Sequence, residues 1–219
     1  MTKLSKIFPK YVVIPIILIV ALHGLAFYGT RLVNSNWVHY SPETAIDRAI
    51  PLCTGFFIIY VLAFAQWAIT GFLLLRESRE SCCRVATVEL ITTLVALVCF
   101  LAFPTSMQRP EITGNCLGDI IGKAIYAADS PDNLFPSLHC TASWICFRGS
   151  LSSKSYGKFF APVNGVMAVL VFASVVFVKQ HLFVDIVSAV AIVELVIFFT
   201  DKFRLDRAIS KINEKIMHA

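Results

Sequence analysis

The chain has 219 residues, 57% of them hydrophobic and 15% charged, where a soluble domain carries about 25% charged residues. Its mean hydropathy is +0.74, and several apolar runs approach the ~20 residues that cross a bilayer. These values exclude an ordinary soluble domain, and the net charge of +5 fits membrane topology better than nucleic-acid binding.

The pattern predicts an all-α polytopic membrane protein: a single domain, 1–219, with six transmembrane helices in one bundle. Residues 1–10 are a basic lead with Lys3, Lys6 and Lys10. The first span is 11–32. A signal peptide has a similar look, but this apolar core is too long and no small-residue cleavage site follows. His23 lies near its middle as a lone histidine. Residues 33–51 are polar and aromatic. Trp37 and Tyr40 suit an interface, and Asp47-Arg48 reads as a solvated interfacial pair. The second span is 52–75, followed by a charged connector, 76–84. The third is 85–103, with Glu89 expected near the headgroups or paired with an arginine there.

Residues 104–135 form the longest loop, with Arg109, Glu111, Asp119, Lys123, Asp129 and Asp132. A connection of that length is more often functional than a short one. Residues 116–128 could form a short helix on the membrane surface. The fourth span, 136–150, is short. The fifth is 159–178 and the sixth 182–200, with Glu194 expected to pair inside the bundle. The charged tail, 201–219, carries Ile209, Ile212 and Ile216 and could lie along the membrane. With six spans both termini share one side. That side receives fourteen of the nineteen Lys and Arg residues, so both termini are expected in the cytoplasm. Of the seven cysteines, none forms a Cys-x-x-Cys pair and none has zinc-site spacing with histidine. They read as small hydrophobes, and no metal or other cofactor is expected.

This topology collects chemistry on one face. Arg109 comes from the long loop, Ser137 and His139 open the fourth span, and Lys179 and His181 join the fifth to the sixth. Asp185 lies four residues past His181, one helical turn away on the same face. A carboxylate there can hold the imidazole's tautomer and raise its basicity. An Asp or Lys at a helix centre costs about 2.5–3.5 kcal/mol in a bilayer, so such groups need a use or a partner. Two histidines, one orienting carboxylate, cations and a hydroxyl suit metal-free phosphoryl transfer. Ser137 near a helix N-terminus would favour an anion. His39 and His218 have no evident partner.

Phe-Pro-Ser-Leu-His (135–139) followed by Lys-Gln-His-x-x-x-Asp (179–185) resembles the type-2 phosphatidic acid phosphatase superfamily, six-span enzymes acting on lipid phosphates and pyrophosphates. The family motifs are Lys-x6-Arg-Pro, Pro-Ser-Gly-His and Ser-Arg-x5-His-x3-Asp. Arg109-Pro110 is similar to the end of the first, 136–139 to the second, and His181 with Asp185 to the third. The departures are Ala102 for the first lysine, Leu138 for glycine and Val175 for arginine. Lys179 is expected to restore one lost cation. The Ser-Leu-His and Lys-Gln-His variants resemble the branch that includes inositol phosphorylceramide synthases.

The resemblance implies His181 as the nucleophile, Asp185 as its orienting carboxylate and His139 as the acid. Arg109, Ser137 and Lys179 would hold the phosphoryl oxygens. The expected protein is a lipid phosphate phosphatase in a membrane, in the setting of a bacterial plasma membrane, with its site on the extracytoplasmic face. Two alternatives stand beside it. One is a phosphotransferase that passes the phosphoryl or phospho-headgroup to a hydroxyl acceptor. The other is a non-catalytic lipid-binding or transport protein.

Overall fold

The computed structural model describes residues 8–217, with side chains as far as Lys211. Lys3, Lys6, His218 and the side chains of Ile212, Lys215 and Ile216 lie outside the described residues. Nine helices account for the architecture among the described residues: α1 (Lys10–Asn34), α2 (Ala45–Ala49), α3 (Phe56–Glu77), α4 (Arg79–Ala102), α5 (Leu117–Ala128), α6 (Leu138–Ser152), α7 (Phe160–Phe177), α8 (Phe183–Phe203) and α9 (Asp206–Met217). Two isolated backbone bridges, Tyr40 to Thr105 and Ser106 to Asp132, tie loops together.

Five helices, α1, α3, α4, α7 and α8, are long and apolar enough to cross a membrane. Val20, Ile69, Val169 and Leu195 stay exposed on them, as lipid-facing side chains do. The fourth predicted span is α6, and it differs in kind. Its 15 residues rise about 22 Å, short of a hydrocarbon core of about 30 Å. It packs against α3, α4, α7 and α8. With helices rather than lipid around it, it can be built from Cys140, Thr141, Ala142, Ser143, Gly149 and Ser150, all buried. Gly149 has Leu74 of α3 against it, where a Cβ would come within 2.6 Å of a Leu74 methyl.

The charged connector expected at 76–84 is not a loop. α3 runs through Glu77, Ser78 alone breaks the helix, and α4 starts at Arg79. Ser78 is extended, and its hydroxyl accepts a hydrogen bond from Ser81 N at 3.0 Å, the usual N-cap arrangement. Arg84 joins α4 to α8 by two bonds to the Asp201 carboxylate, 2.8 and 2.9 Å. Glu89 does not meet an arginine: its carboxylate lies 3.3 Å from His23 Nε2 of α1. Glu194 pairs with a neighbouring helix, with Arg148 Nε and Trp144 Nε1 each at 2.7 Å, but its side chain stays 41% exposed and is not inside the bundle. The helix expected at 116–128 forms as α5, and Asp119 closes its first turn by accepting from Cys116 N at 2.8 Å. All seven cysteines are free.

α1 ends, α3 begins, α4 ends and α6 and α8 begin at one end of the bundle. Asn34 Nδ2 donates to Phe100 O at 2.9 Å, Cys53 N to Phe177 O at 2.9 Å, and Ser137 N to Asp185 O at 3.3 Å. The loops that carry the expected chemistry meet here.

Candidate active site

His181 sits in the tight turn between α7 and α8. Lys179 adopts a left-handed conformation, φ 52°, and the amides of Gln180 and His181 both donate to Val175 O, at 2.9 and 3.0 Å. The turn is fastened from outside by the first loop. Lys179 Nζ donates to the carbonyls of Asp47 and Ile50 at 2.8 and 2.5 Å, and Phe183 N donates to Asp47 Oδ1 at 2.7 Å. Asp47 is therefore buried, 4% exposed, not the solvated partner of Arg48, which faces Glu43 at 4.0 Å. Burial raises the Asp47 pKa, but hydrogen bonds from Thr44 and Phe183 outweigh it and hold the carboxyl below its ordinary value.

The His181 ring is oriented from two sides. Its Nδ1 lies 3.0 Å from Leu134 O and 3.4 Å from Asp185 Oδ2. A carbonyl can only accept, so Nδ1 carries the proton and Nε2 keeps the lone pair. Asp185 is fully buried, with Oδ2 also accepting from Leu182 N at 2.8 Å. Leu134 is held in turn: Thr105 Oγ1 accepts from the amides of Leu134 and Phe135 at 3.0 and 3.1 Å. Asn133, left-handed at φ 53°, is tied to Thr30 at 2.9 Å and Asn34 at 3.1 Å. Thr30, Asn34, Thr105 and Asn133 thus fix the acceptor that sets the His181 tautomer. Sequence pattern missed all four, since single Thr and Asn residues carry no periodic signal.

The two expected histidines meet. His139, on the first turn of α6, lies 5.9 Å from His181 between ring centroids. It stacks on Tyr60 at 4.3 Å and meets Trp67 edge-on at 5.0 Å. Arg109 reaches the same place. Its guanidinium donates to Gln180 Oε1 and Asp129 O and lies over the Tyr126 ring, 4.8 Å from its centroid. Burial lowers the Arg109 pKa from its ordinary value, and the Asp129 carboxylate opposes that shift. Burial pushes the Tyr126 phenol up to about 12.

His139, His181, Arg109 and Gln180 all line one cavity of about 510 Å³, inside the size range of ligand pockets. Its mouth lies in the cleft between α1 and α3, where Val20, Tyr28, Val61 and Phe64 are both exposed and part of the lining. Among the described residues, Arg109 is the one Lys or Arg side chain in that lining. Asp129 and Asp132 also line it, and Arg31 braces both carboxylates at 2.7 and 2.5 Å. Three nitrogens of the lining residues are buried without a hydrogen-bond partner among the described residues: His139 Nε2, Arg109 Nε and Gln180 Nε2. Buried polar atoms are rarely left so.

Two expected phosphate ligands are elsewhere. The Lys179 ammonium is spent on the Asp47 and Ile50 carbonyls, so it anchors the turn and does not replace the cations lost at Ala102 and Val175. Ser137 is fully buried and caps α6, its hydroxyl accepting from Cys140 N at 3.3 Å. Val175 itself is fully buried among apolar residues, with no room for an arginine. Gln180, by contrast, stands where the sequence offered only a neutral neighbour of His181. No protein-family model and no curated protein matches the chain.

Proposed function

We propose that this protein is an integral membrane lipid phosphate phosphatase that works without a metal, through a phosphohistidine, in the manner of the type-2 phosphatidic acid phosphatases it resembles. The observation that carries the reading is the state of the two imidazoles. One is locked with its Nε2 lone pair available, the other lies 5.9 Å away with a buried nitrogen lacking a partner, and both line one cavity. That spacing brings both rings within reach of a single phosphoryl group, the proximity an in-line transfer needs.

His181 Nε2 attacks phosphorus as the bond from phosphorus to the alcohol oxygen breaks. His139 gives that oxygen its proton. Water then attacks phosphorus, His139 takes its proton, the P–N bond breaks and inorganic phosphate leaves. The imidazolium formed at His181 is balanced by Asp185. Arg109 and Gln180 supply donors to the phosphoryl oxygens, fixed in place before the substrate arrives. The cleft between α1 and α3 favours a substrate arriving from the bilayer. Within this reading α6 is the fourth of six crossings, both termini are cytoplasmic, the protein sits in a plasma membrane such as a bacterial one, and the site faces the extracytoplasmic side.

A second reading rests on Asp129 and Asp132. Carboxylates in the lining suit the hydroxyls of a polyol, so the second step could pass the phosphoryl or phospho-headgroup to an alcohol instead of water. One experiment separates the outcomes. Purified protein is incubated with phosphorus-labelled lysophosphatidic acid, with and without inositol, and phosphoprotein is trapped at short times. The phosphatase reading expects free phosphate and an acid-labile label that His181→Ala abolishes. Transfer of label to inositol would move the protein to the second reading, and no phosphoenzyme with either acceptor would overturn both.

A further inference from the structure

A second cavity, of about 560 Å³, adjoins the first. The two share Val20, His23, Trp67 and Ala142, so Trp67, which touches His139, stands at the junction. From there the second cavity follows α1 from His23 back to Ile16 and α3 from Trp67 on to Leu75. At 1.5 Å per residue that is about 10–12 Å along the bundle axis, away from the candidate site and toward the other membrane surface. The far part of its lining is apolar: Ile16, Phe72, Leu74, Leu75, Val85 and Ile145.

Gly71 gives this cavity its width. It lies in the lining, and a Cβ built there meets nothing within 4 Å. It closes a π-helical turn, Trp67–Gly71, so three lining residues, Trp67, Ala68 and Gly71, come from one local widening of α3. Gly costs a helix about 1 kcal/mol relative to alanine, and here no neighbouring backbone or side chain requires its small size.

We infer that this second cavity holds the hydrocarbon chain of the lipid whose phosphate lies between His139 and His181, and that Gly71 sets how long a chain is accepted. The inference rests on the phosphatase reading for the position of the headgroup. The occupant follows from the lining residues shared with the first cavity and from a lining that is apolar apart from His23 and Glu89, which face each other at 3.3 Å. A short chain ends near Trp67, and a long one passes Gly71 and is buried against Leu74 and Leu75. A Cβ at 71 meets no protein atom within 4 Å, so a leucine there would extend into that path.

The test uses full-length protein in nanodiscs with short- and long-chain monoacylglycerol phosphates, the long one also prepared with a photoactivatable diazirine at its chain end. Gly71→Leu is expected to lower the long-to-short ratio of kcat/KM by about 10–100-fold, the scale on which apolar pockets discriminate by size. Ile69→Phe, on the lipid-facing side of the same helix, is the control for added bulk. The diazirine is expected to label Ile16, Leu74 or Leu75 in the parent and to lose those adducts in Gly71→Leu. An unchanged ratio, or adducts on other helices, would overturn the chain site. Adducts at those positions in a protein that turns over neither probe would keep the chain site and instead remove the phosphatase reading.

Discussion

Among the described residues the bundle contains two histidine–carboxylate pairs of nearly equal length, and their surroundings differ. His181 and Asp185 are 3.4 Å apart, and His23 and Glu89 are 3.3 Å apart. In the first, the carboxylate and a backbone carbonyl both address Nδ1, which leaves Nε2 for the cavity. In the second, Nδ1 faces Ile19 O at 3.2 Å and Thr93 Oγ1 at 3.4 Å, and Nε2 faces Glu89. Both ring nitrogens of His23 are engaged. Proximity to a carboxylate therefore does not separate the two histidines; on the proposed reading, the nitrogen left over at His181 does.

The largest expected effect tests that difference directly. His181→Ala should lower phosphate release by about 10²–10⁴-fold, while His23→Ala changes it by less than about tenfold, both measured on protein that elutes as the parent does. Equal losses would erase the distinction between the pairs. Asp185→Asn should follow, with a loss of about 10²-fold or more, because an amide can present an N–H to the ring and favour the wrong tautomer. Its loss should appear in kcat, with substrate binding little changed.

Gln180→Leu should lower kcat/KM about tenfold, the scale of one hydrogen bond to a charged group, and weaken inhibition by vanadate in parallel. On the other pair, His23→Leu should cost about 1–3 kcal/mol by leaving Glu89 without its partner. Adding Glu89→Leu should recover most of that, since an apolar pair of similar size can replace a partly buried polar one. Thermal unfolding in one detergent checks both.

The smallest effect concerns the clamp on the His181 turn. Asp47→Asn should cost about 1 kcal/mol. The sign with pH follows from its lowered pKa. An aspartate in the unfolded chain titrates near 3.9, so the Asp47 contribution is complete above that value and is lost as the pH falls through the lower folded value. The difference in unfolding temperature between parent and Asp47→Asn should therefore shrink on acidification.

Much of this was legible in sequence because membrane burial leaves few ways to use an ionisable group. Apolar length marked α1, α3, α4, α7 and α8, and the four-residue spacing placed Asp185 beside His181. α6 was visible only as a short span, since its surroundings are helices and its composition records that, not lipid. Lys179 was misread because its sequence position, two residues before His181, says nothing of direction. The left-handed turn points it at the first loop. The sequence places Glu89 near the headgroups or beside an arginine, because the pairing of α1 with α4 cannot be read from either helix alone.

The sequence by itself determined the helical membrane class, the order of the motifs and the identity of the two imidazoles, because these depend on transfer to lipid and on neighbours within a turn. Only the tertiary structure decided which cations and amides reach the cavity, which nitrogen of His181 stays free and where the second cavity runs. Those depend on contacts between residues tens of positions apart, and chain connectivity does not encode their directions.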